Sequence, residues 1–256
     1  MPAPATPPIV VGATGGSGTR AVQAAFARAG VFMGNRVNHA GDAMDFEPWL
    51  DDAINAVLPH TRSLDYEASA LPLAVRAPLL SRLRRIIDAF RAEVPPGTAR
   101  WGWKNPRSMY ILPLIVALQP DLSFVHVVRD GRDMALSDNQ NQLNKHFAHL
   151  FGRPYGADSE VESIRLWSRA NCDVARWAAR SLGPRYVRLR LEDLCAEPVR
   201  ALGRLFYGLG MTADLHDVAS CVQAPPSLGR WREQPPGRIA RIAEGGAEGL
   251  RAFGYV

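Results

Sequence analysis

The sequence predicts a single α/β domain with a central parallel sheet and helices on both faces. Short apolar segments alternate with longer segments whose apolar residues recur at helical spacing, a pattern typical of parallel sheets of about four to five strands. The first apolar segment has no alternation of polar residues, as expected for a strand buried on both faces. The length of 256 residues suits one such domain with a full core.

The elements follow from periodicity and from turn residues. Strands are predicted at residues 8–13, 100–103, 122–128 and 185–191. Helices are predicted at 19–30, from 45, at 76–93 and 109–118, from 130, around 164–178, at 198–209 and 213–222, and near the C-terminus. Residues 1–7 are expected to form a flexible tail before the domain at 8–256, and 139–159 is expected to be a polar connecting segment.

A glycine-rich turn follows the first predicted strand. It contains Gly15, Gly16, Ser17, Gly18 and Thr19. Glycines allow positive φ values and a close approach of the backbone to a ligand. The turn opens onto a helix N-terminus, where unpaired N–H groups and the helix dipole favour an anion. The sequence therefore predicts a loop that binds phosphate or sulfate.

Two basic side chains follow other predicted strands. Lys104 and Arg129 each come directly after a strand, and ligands of parallel sheets bind beyond the carboxyl ends of the strands. Both are therefore expected at the same edge of the sheet as the glycine turn. Lys104 is also one of only two lysines, the other being Lys145, in a chain whose remaining fixed positive charges are arginines.

Composition limits the class of partner and the cellular compartment. The formal net charge is +5, but the basic residues are spread along the chain, so composition alone makes a small anionic molecule as plausible a partner as a nucleic acid; together with the motifs, a small molecule is expected and a nucleic acid is not. Cys172, Cys195 and Cys221 lack the spacing of a metal site or of a disulfide framework. No segment has the pattern of a signal peptide, and no apolar run approaches the roughly 20 residues of a membrane span. A cytoplasmic protein without a metal is predicted, and its oligomeric state is left open.

Taken together, these motifs resemble the sulfotransferases that use 3′-phosphoadenosine 5′-phosphosulfate (PAPS). The resemblance spans nearly the whole chain, with its segments in the family's order. They are the glycine turn ending in Gly18-Thr19-Arg20, the segment at 127–137 with Arg129 at a strand end and Ser137 eight residues later, the segment at 186–198 with Leu191-Glu192-Asp193-Leu194, and the closing segments at 229–232 and 253–255.

The resemblance implies a cofactor site with two anionic ends. The 5′-phosphosulfate would lie against the glycine turn, and the 3′-phosphate of PAPS, or of its product 3′,5′-adenosine diphosphate (PAP), against a planar guanidinium and a hydroxyl. The closing segment would cover the cofactor, with a tryptophan near the adenine. The residues implied are Gly15, Gly16, Ser17, Gly18, Thr19 and Arg20 for the 5′ end, Arg129 and Ser137 for the 3′ end, and Arg230, Trp231 and Arg232 for the cover.

The resemblance also implies a cation for the leaving group. The family usually has a basic residue two positions before the Gly-Thr pair, whereas this chain has Gly16. The family also has a catalytic lysine just before an Asn-Pro or Asp-Pro pair, and Lys104 matches that position. Lys104 is therefore expected to stabilise charge on the leaving oxygen, with Arg20 in support.

A general base is needed for the acceptor hydroxyl. Related enzymes hold it in the loop after the first helix, but the matching positions near 35–38 carry no base. The nearest candidates are His39, Asp42 and Asp45, and Asp42 is favoured because Asp45 stands where a helix begins.

The acceptor is expected to be a hydroxyl or amine of a small molecule or carbohydrate, between walls formed by residues 35–95 and 139–160. Two alternatives stay open. A P-loop kinase or NTPase shares the strand, glycine turn and helix, but the lysine that precedes Ser or Thr in that motif is missing before Thr19. A catalytically inactive nucleotide-binding protein is compatible with Gly16 and with the unassigned base.

Three histidines receive structural interpretations. His126 stands within the most apolar strand and is predicted to be a hydrogen-bonded core residue. His146 and His149 stand in a polar segment and are predicted to lie on the surface.

Overall fold

The chain folds around four parallel strands. A computed structural model describes residues 6–256, apart from the side chain of Pro48; residues 1–5 of the predicted tail at 1–7 lie outside this range. The strands are β1 (Ile9–Ala13), β2 (Gly102–Lys104), β3 (Ser123–Val128) and β4 (Tyr186–Arg190), and their order in the sheet is β2-β1-β3-β4. All three pairings are parallel, so the predicted α/β class with a central parallel sheet is confirmed.

Helices cover both faces and the edges of this sheet. They are α1 (Thr19–Arg28), α2 (Glu47–Thr61), α3 (Leu73–Ala92), α4 (Leu112–Leu118), α5 (Gly131–Ala135), α6 (Asn141–Phe151), α7 (Ser159–Leu182), α8 (Leu191–Ala196), α9 (Pro198–Gly208), α10 (Leu215–Ala219), α11 (Pro236–Gly245) and α12 (Ala247–Ala252). Short 3₁₀ turns occupy Ala68–Ala70, Pro106–Ile111, Gly183–Arg185 and Arg230–Glu233.

Alternate residues of the strands enter two separate cores. Val10 packs with Trp103 and Phe124 into the larger core, which is covered by α2, α3, α4, α6 and α7. Val11 and Val125 point to the opposite face and pack under α1, α9 and α10. A third apolar cluster lies where α5 and α7 meet α11 and α12. This burial on both faces explains why β1 contains no polar residue and β3 contains only Ser123 and His126.

Some predicted helices differ from those in the structure. The segment at 139–159 contains α6, because Leu143, Phe147 and Leu150 form a buried face despite polar residues between them. The predicted helix at 109–118 is instead a 3₁₀ turn followed by α4, and the predicted helix at 213–222 is reduced to α10. The prediction contained no helix at α8 and only one helix where α11 and α12 lie.

The close contact between β1 and β2 depends on Gly102. A Cβ atom placed on this residue would lie 1.9 Å from the carbonyl oxygen of Ile9 and within 3 Å of two more backbone atoms of Ile9. Neither strand can move away cheaply, since the other edge of β1 is paired with β3. Gly102 therefore permits the register that sets Lys104 opposite Val11, at the carboxyl end of the sheet.

We expect Gly102→Ala to lower the free energy of unfolding by about 3 kcal/mol, because the added methyl group meets fixed backbone. Urea unfolding followed by circular dichroism measures this. The matched control is Gly237→Ala, since a Cβ at Gly237 meets nothing within 4 Å. Equal stability of the two variants would contradict the steric account.

Candidate active site

The glycine turn between β1 and α1 is shaped as an anion-binding loop. Gly16 and Gly18 have φ values of +81° and +75°, the left-handed region that favours glycine. A Cβ on Gly18 would also lie 2.5 Å from a methyl group of Leu191. No side chain caps the N-terminus of α1, and its first turn contains no acidic residue. The first N–H groups of α1 are therefore available to an anion.

One large cavity lies at the carboxyl edge of the sheet. Its volume is about 900 Å³, within the range of roughly 300–1,000 Å³ common for ligand sites. Nine of the site residues expected from the sequence line it: Gly15, Gly16, Gly18, Thr19, Arg20, Asp42, Arg129, Ser137 and Arg230. Four others do not appear among its lining residues: Ser17, Lys104, Trp231 and Arg232. The structure thus brings the glycine turn, the end of β3 and the 38–42 turn together around one space.

Arg129 connects three segments beside this cavity. Its side chain is buried and pairs with Asp133, with 2.9 Å between Nη2 and Oδ2. Another N–H donates to the carbonyl oxygen of Gly16 at 3.2 Å, and the guanidinium also donates to the carbonyl oxygen of Ser227. Asp133 in turn accepts hydrogen bonds from the backbone N–H groups of Gly229 and Trp231. This network holds the glycine turn, α5 and the segment at 227–231 in one arrangement.

The remaining residues of the cover divide into two groups. Arg230 donates to the carbonyl oxygen of Leu136 at 3.0 Å and so lies next to Ser137 at the cavity. Trp231 lies outside the lining, and the guanidinium of Arg132 covers its ring at 3.6 Å from the centroid. Arg232 also contacts the Trp231 ring, at 5.0 Å.

Ser17 serves the loop itself. Its hydroxyl donates to the carbonyl oxygen of Thr14 at 2.7 Å and is buried, so it stabilises the turn from inside.

Lys104 and Asp42, expected as separate catalytic groups, form one buried ion pair. Lys104 is 1 % exposed, and its ammonium donates to the Asp42 carboxylate and, at 2.6 Å, to the carbonyl oxygen of Ala40. Asn38 supports the arrangement through an amide hydrogen bond to Asp42 at 3.2 Å. Burial lowers the pKa of Lys104 and the nearby charge of Arg20 lowers it further, while Asp42 acts in the opposite direction.

The candidate bases occupy different places. Asp42 and His39 both line the cavity. Asp45 does not appear among the lining residues; it faces Arg36, with 3.5 Å between Oδ1 and Nη1.

A set of ion pairs lies along the cavity on the side of α2 and α6. No motif in the sequence indicated these ion pairs. Arg107 donates to the carboxylates of both Glu47 and Asp51. Lys145 pairs with the other oxygen of Asp51 at 2.6 Å. We call Glu47, Asp51, Arg107 and Lys145 the charged wall. The available signal was the polar stripe of α2, where Glu47 and Asp51 stand four residues apart on one helix face.

The prediction of a surface position was wrong for His146. This side chain is fully buried beside the charged wall, because packing of α6 against α2 encloses it, and its Nδ1 lies 2.9 Å from Oδ1 of Asn55. Burial lowers its pKa to about 4. The prediction for His126 is confirmed: it is buried and hydrogen-bonded to Tyr186 and Asn171, and burial lowers its pKa to about 4 as well.

We expect Asp42→Asn to lower the free energy of unfolding by about 3 kcal/mol, because it leaves the buried Lys104 ammonium without a counter-charge. Urea unfolding measures the loss. The double variant Asp42→Asn with Lys104→Met removes the charge and should recover part of that stability. A double variant no more stable than the single one would show that the ion pair is not the cause.

Stability should also fall in mild acid. The unfolded chain protonates His126 and His146 near the ordinary pKa of about 6.5, whereas the folded chain resists until about pH 4. Below pH 6.5 the unfolded state therefore binds more protons, and each histidine removes about 2 kcal/mol between pH 7.5 and pH 5. Urea unfolding at both pH values measures this drop. It should shrink by about 2 kcal/mol in His146→Phe, which lacks the buried imidazole; a drop as large in this variant as in the wild type would contradict the assignment.

Within residues 6–256, no group of three or more His, Cys, Asp or Glu side chains is placed to hold a metal ion. None of the helices described is both long enough and apolar enough to span a membrane.

Comparison with known proteins identifies the family. The model of the sulfotransferase family matches residues 8–215. Among curated proteins, none matches the sequence of this chain.

Solved structures show the same fold. The sulfotransferase domain of the Synechococcus PCC 7002 olefin synthase aligns with a TM-score of 0.58 at 13% identity, over 100% of this chain and 98% of that one. Sulfotransferase STF9 from Mycobacterium avium gives a TM-score of 0.55 at 11% identity, over 98% and 77%. The sulfotransferase domain of the curacin biosynthetic pathway gives 0.52 at 13% identity, over 94% and 98%. The family model and the fold agree with the motif order, and the chain belongs to the sulfotransferase family.

Proposed function

We propose that this sulfotransferase moves a sulfuryl group from PAPS to a hydroxyl group of a small-molecule or carbohydrate acceptor, releasing PAP. The observation that carries the proposal is the cavity that the glycine turn, Arg129 and Asp42 line together, with Lys104 buried behind Asp42. An anion with two charged ends needs two separate cationic or N–H-rich regions, and the cavity has one at each side of the β1–β3 edge.

The residues present fit such a cofactor. At the 5′ end, the positive φ values of Gly16 and Gly18 and the uncapped start of α1 turn backbone N–H groups towards the cavity. At the 3′ end, Arg129, Ser137 and Arg230 line the same space. Within the described part of the chain, neither Arg20 nor Arg230 has a salt-bridge partner. The part of the cavity that would hold the cofactor, from the glycine turn to Arg230, therefore keeps a net positive charge.

When bound, PAPS supplies a sulfuryl group activated by its 5′-phosphate. Asp42 takes the proton of the acceptor hydroxyl as the acceptor oxygen bonds to sulfur and the bond from sulfur to the phosphate oxygen breaks. Lys104 donates to Ala40 and Asp42 and lies outside the lining, so its positive charge would stabilise charge on the leaving oxygen through space, from behind Asp42. Arg20 adds positive charge where the family usually has a basic residue and this chain has Gly16.

Isothermal titration of PAP tests the cofactor assignment. We expect the wild type to bind PAP, and Arg129→Ala to weaken binding by about 10–100-fold, the effect of losing a charge-assisted contact worth roughly 1.5–3 kcal/mol. Arg129→Lys should also bind weakly, because an ammonium cannot replace the planar fork.

The matched control is Arg82→Ala, which removes an exposed arginine of α3 away from the cavity and should bind PAP like the wild type. Absence of PAP binding by a folded wild-type protein would overturn the PAPS proposal. Binding of PAP without sulfuryl transfer to any acceptor would instead support an inactive nucleotide-binding protein.

A further inference from the structure

The side of the cavity formed by the charged wall offers mainly polar contacts. Glu47, Arg107 and Lys145 line it, together with the amide side chains of Asn141 and Gln142. Arg107 and Glu47 are largely buried, with side-chain exposures of 14% and 21%, and each is held by the other, so these charges cannot turn away from a ligand.

The charges of this wall cancel. Glu47 and Asp51 supply two negative charges, and Arg107 and Lys145 supply two positive ones, all within one connected set of ion pairs. The hydrogen bonds from Lys145 and Arg107 outweigh the opposing effect of burial and keep the pKa of Asp51 below its usual value. Arg107 is likewise held protonated against burial by Glu47 and Asp51. The wall is therefore strongly polar with no net charge.

His146 adds an unused polar atom at this side. It lines the cavity, and its Nε2 has no hydrogen-bond partner among the described residues, while Oδ1 of Asp51 lies 3.5 Å away. Because Nδ1 faces the amide oxygen of Asn55, Nδ1 carries the proton and Nε2 is an acceptor. Oδ1 of Asp51 already accepts from Arg107, so Nε2 is the acceptor at this side that a donor from a ligand would satisfy.

An apolar acceptor does not suit this wall. An aromatic or steroid surface placed on it would remove water from the ion pairs and the amides without replacing those hydrogen bonds, at a cost of roughly 1–3 kcal/mol for each unpaired group. A charged acceptor gains nothing from a wall whose net charge is zero. Several hydroxyl groups, each both a donor and an acceptor, match the Glu47 carboxylate, the amides and Nε2 together.

We propose that the charged wall and His146 bind a neutral, polyhydroxylated acceptor of the sugar or polyol class. This inference rests on the proposed function, because it assigns the acceptor of the same site. The proposal predicts that a neutral sugar binds more tightly than a cationic one, and that this preference depends on Lys145. Removing this cation gives the wall a net negative charge, which favours the cationic sugar.

Saturation-transfer NMR on the PAP-saturated protein tests the proposal with four probes: methyl β-D-glucoside, myo-inositol, glucosamine and 2-naphthol. We expect methyl β-D-glucoside and myo-inositol to bind more tightly than glucosamine. Any saturation-transfer signal of 2-naphthol should remain when myo-inositol is added, because 2-naphthol should not bind at this wall. Lys145→Met should reverse the order between methyl β-D-glucoside and glucosamine, changing the ratio of their affinities by up to about 5-fold, as expected for one exposed charge worth up to about 1 kcal/mol. Arg82→Met, an equal loss of charge on α3, should keep the wild-type order.

His146→Phe tests the hydrogen bond. It should weaken glucoside binding by about 5–10-fold, as expected for one lost hydrogen bond, and leave PAP affinity unchanged; His149→Phe should change neither. The proposal is overturned if 2-naphthol binds more tightly than both polyols, or if Lys145→Met leaves the order of glucoside and glucosamine unchanged. If the protein binds polyols in a way that depends on His146 but does not bind PAP, the cofactor proposal is rejected and the proposal of a polyhydroxylated acceptor is retained.

Discussion

The arrangement of the site depends on the buried pair of Arg129 and Asp133. A charge pair removed from water is stable only when its remaining donors and acceptors are satisfied, and here the partners come from other segments. Arg129 reaches the carbonyl oxygens of Gly16 and Ser227, and Asp133 receives the backbone N–H groups of Gly229 and Trp231. The pair thus fixes two distant parts of the chain against the end of β3. Loss of either partner would leave the other charge buried without its counter-charge and would remove the hydrogen bonds that the lost side chain makes to its own segment.

Sequence patterns predicted the sheet, and they predicted that the glycine turn and Arg129 lie at one edge of it, because both follow from local signals. Strands buried on both faces are apolar throughout, and parallel topology brings the ends of β1, β2 and β3 to one edge. The pairing of Lys104 with Asp42 could not be predicted, since it depends on a turn that Asn38 shapes. Burial of His146 depends on how α2 packs against α6, and no periodicity within either helix contains that information.

The two sides of the cavity differ in how their charge is used. Towards the glycine turn, Arg20 and Arg230 lack salt-bridge partners in the described chain, and the helix N-terminus adds partial positive charge, so a field favourable to anions remains. Towards α2, every cation of the charged wall has a carboxylate neighbour. An ion pair keeps its local dipoles while its long-range field cancels. Under the two proposals made above, the first side would attract a highly charged donor from a distance, and the second would recognise a neutral acceptor only on contact.

The scarcity of lysine affects how this protein is handled in the laboratory. Its two side-chain amines are Lys104, which is 1% exposed and ion-paired, and Lys145, whose side chain is 47% exposed at the cavity. Amine-reactive dyes, biotin esters and amine-coupled sensor surfaces will therefore modify Lys145 far more readily than Lys104. Such a label would stand at the mouth of the cavity, where it disturbs ligand measurements. Among the side chains, the same selectivity directs a reporter group to that position without an engineered cysteine, although the α-amino group of the chain reacts with the same reagents.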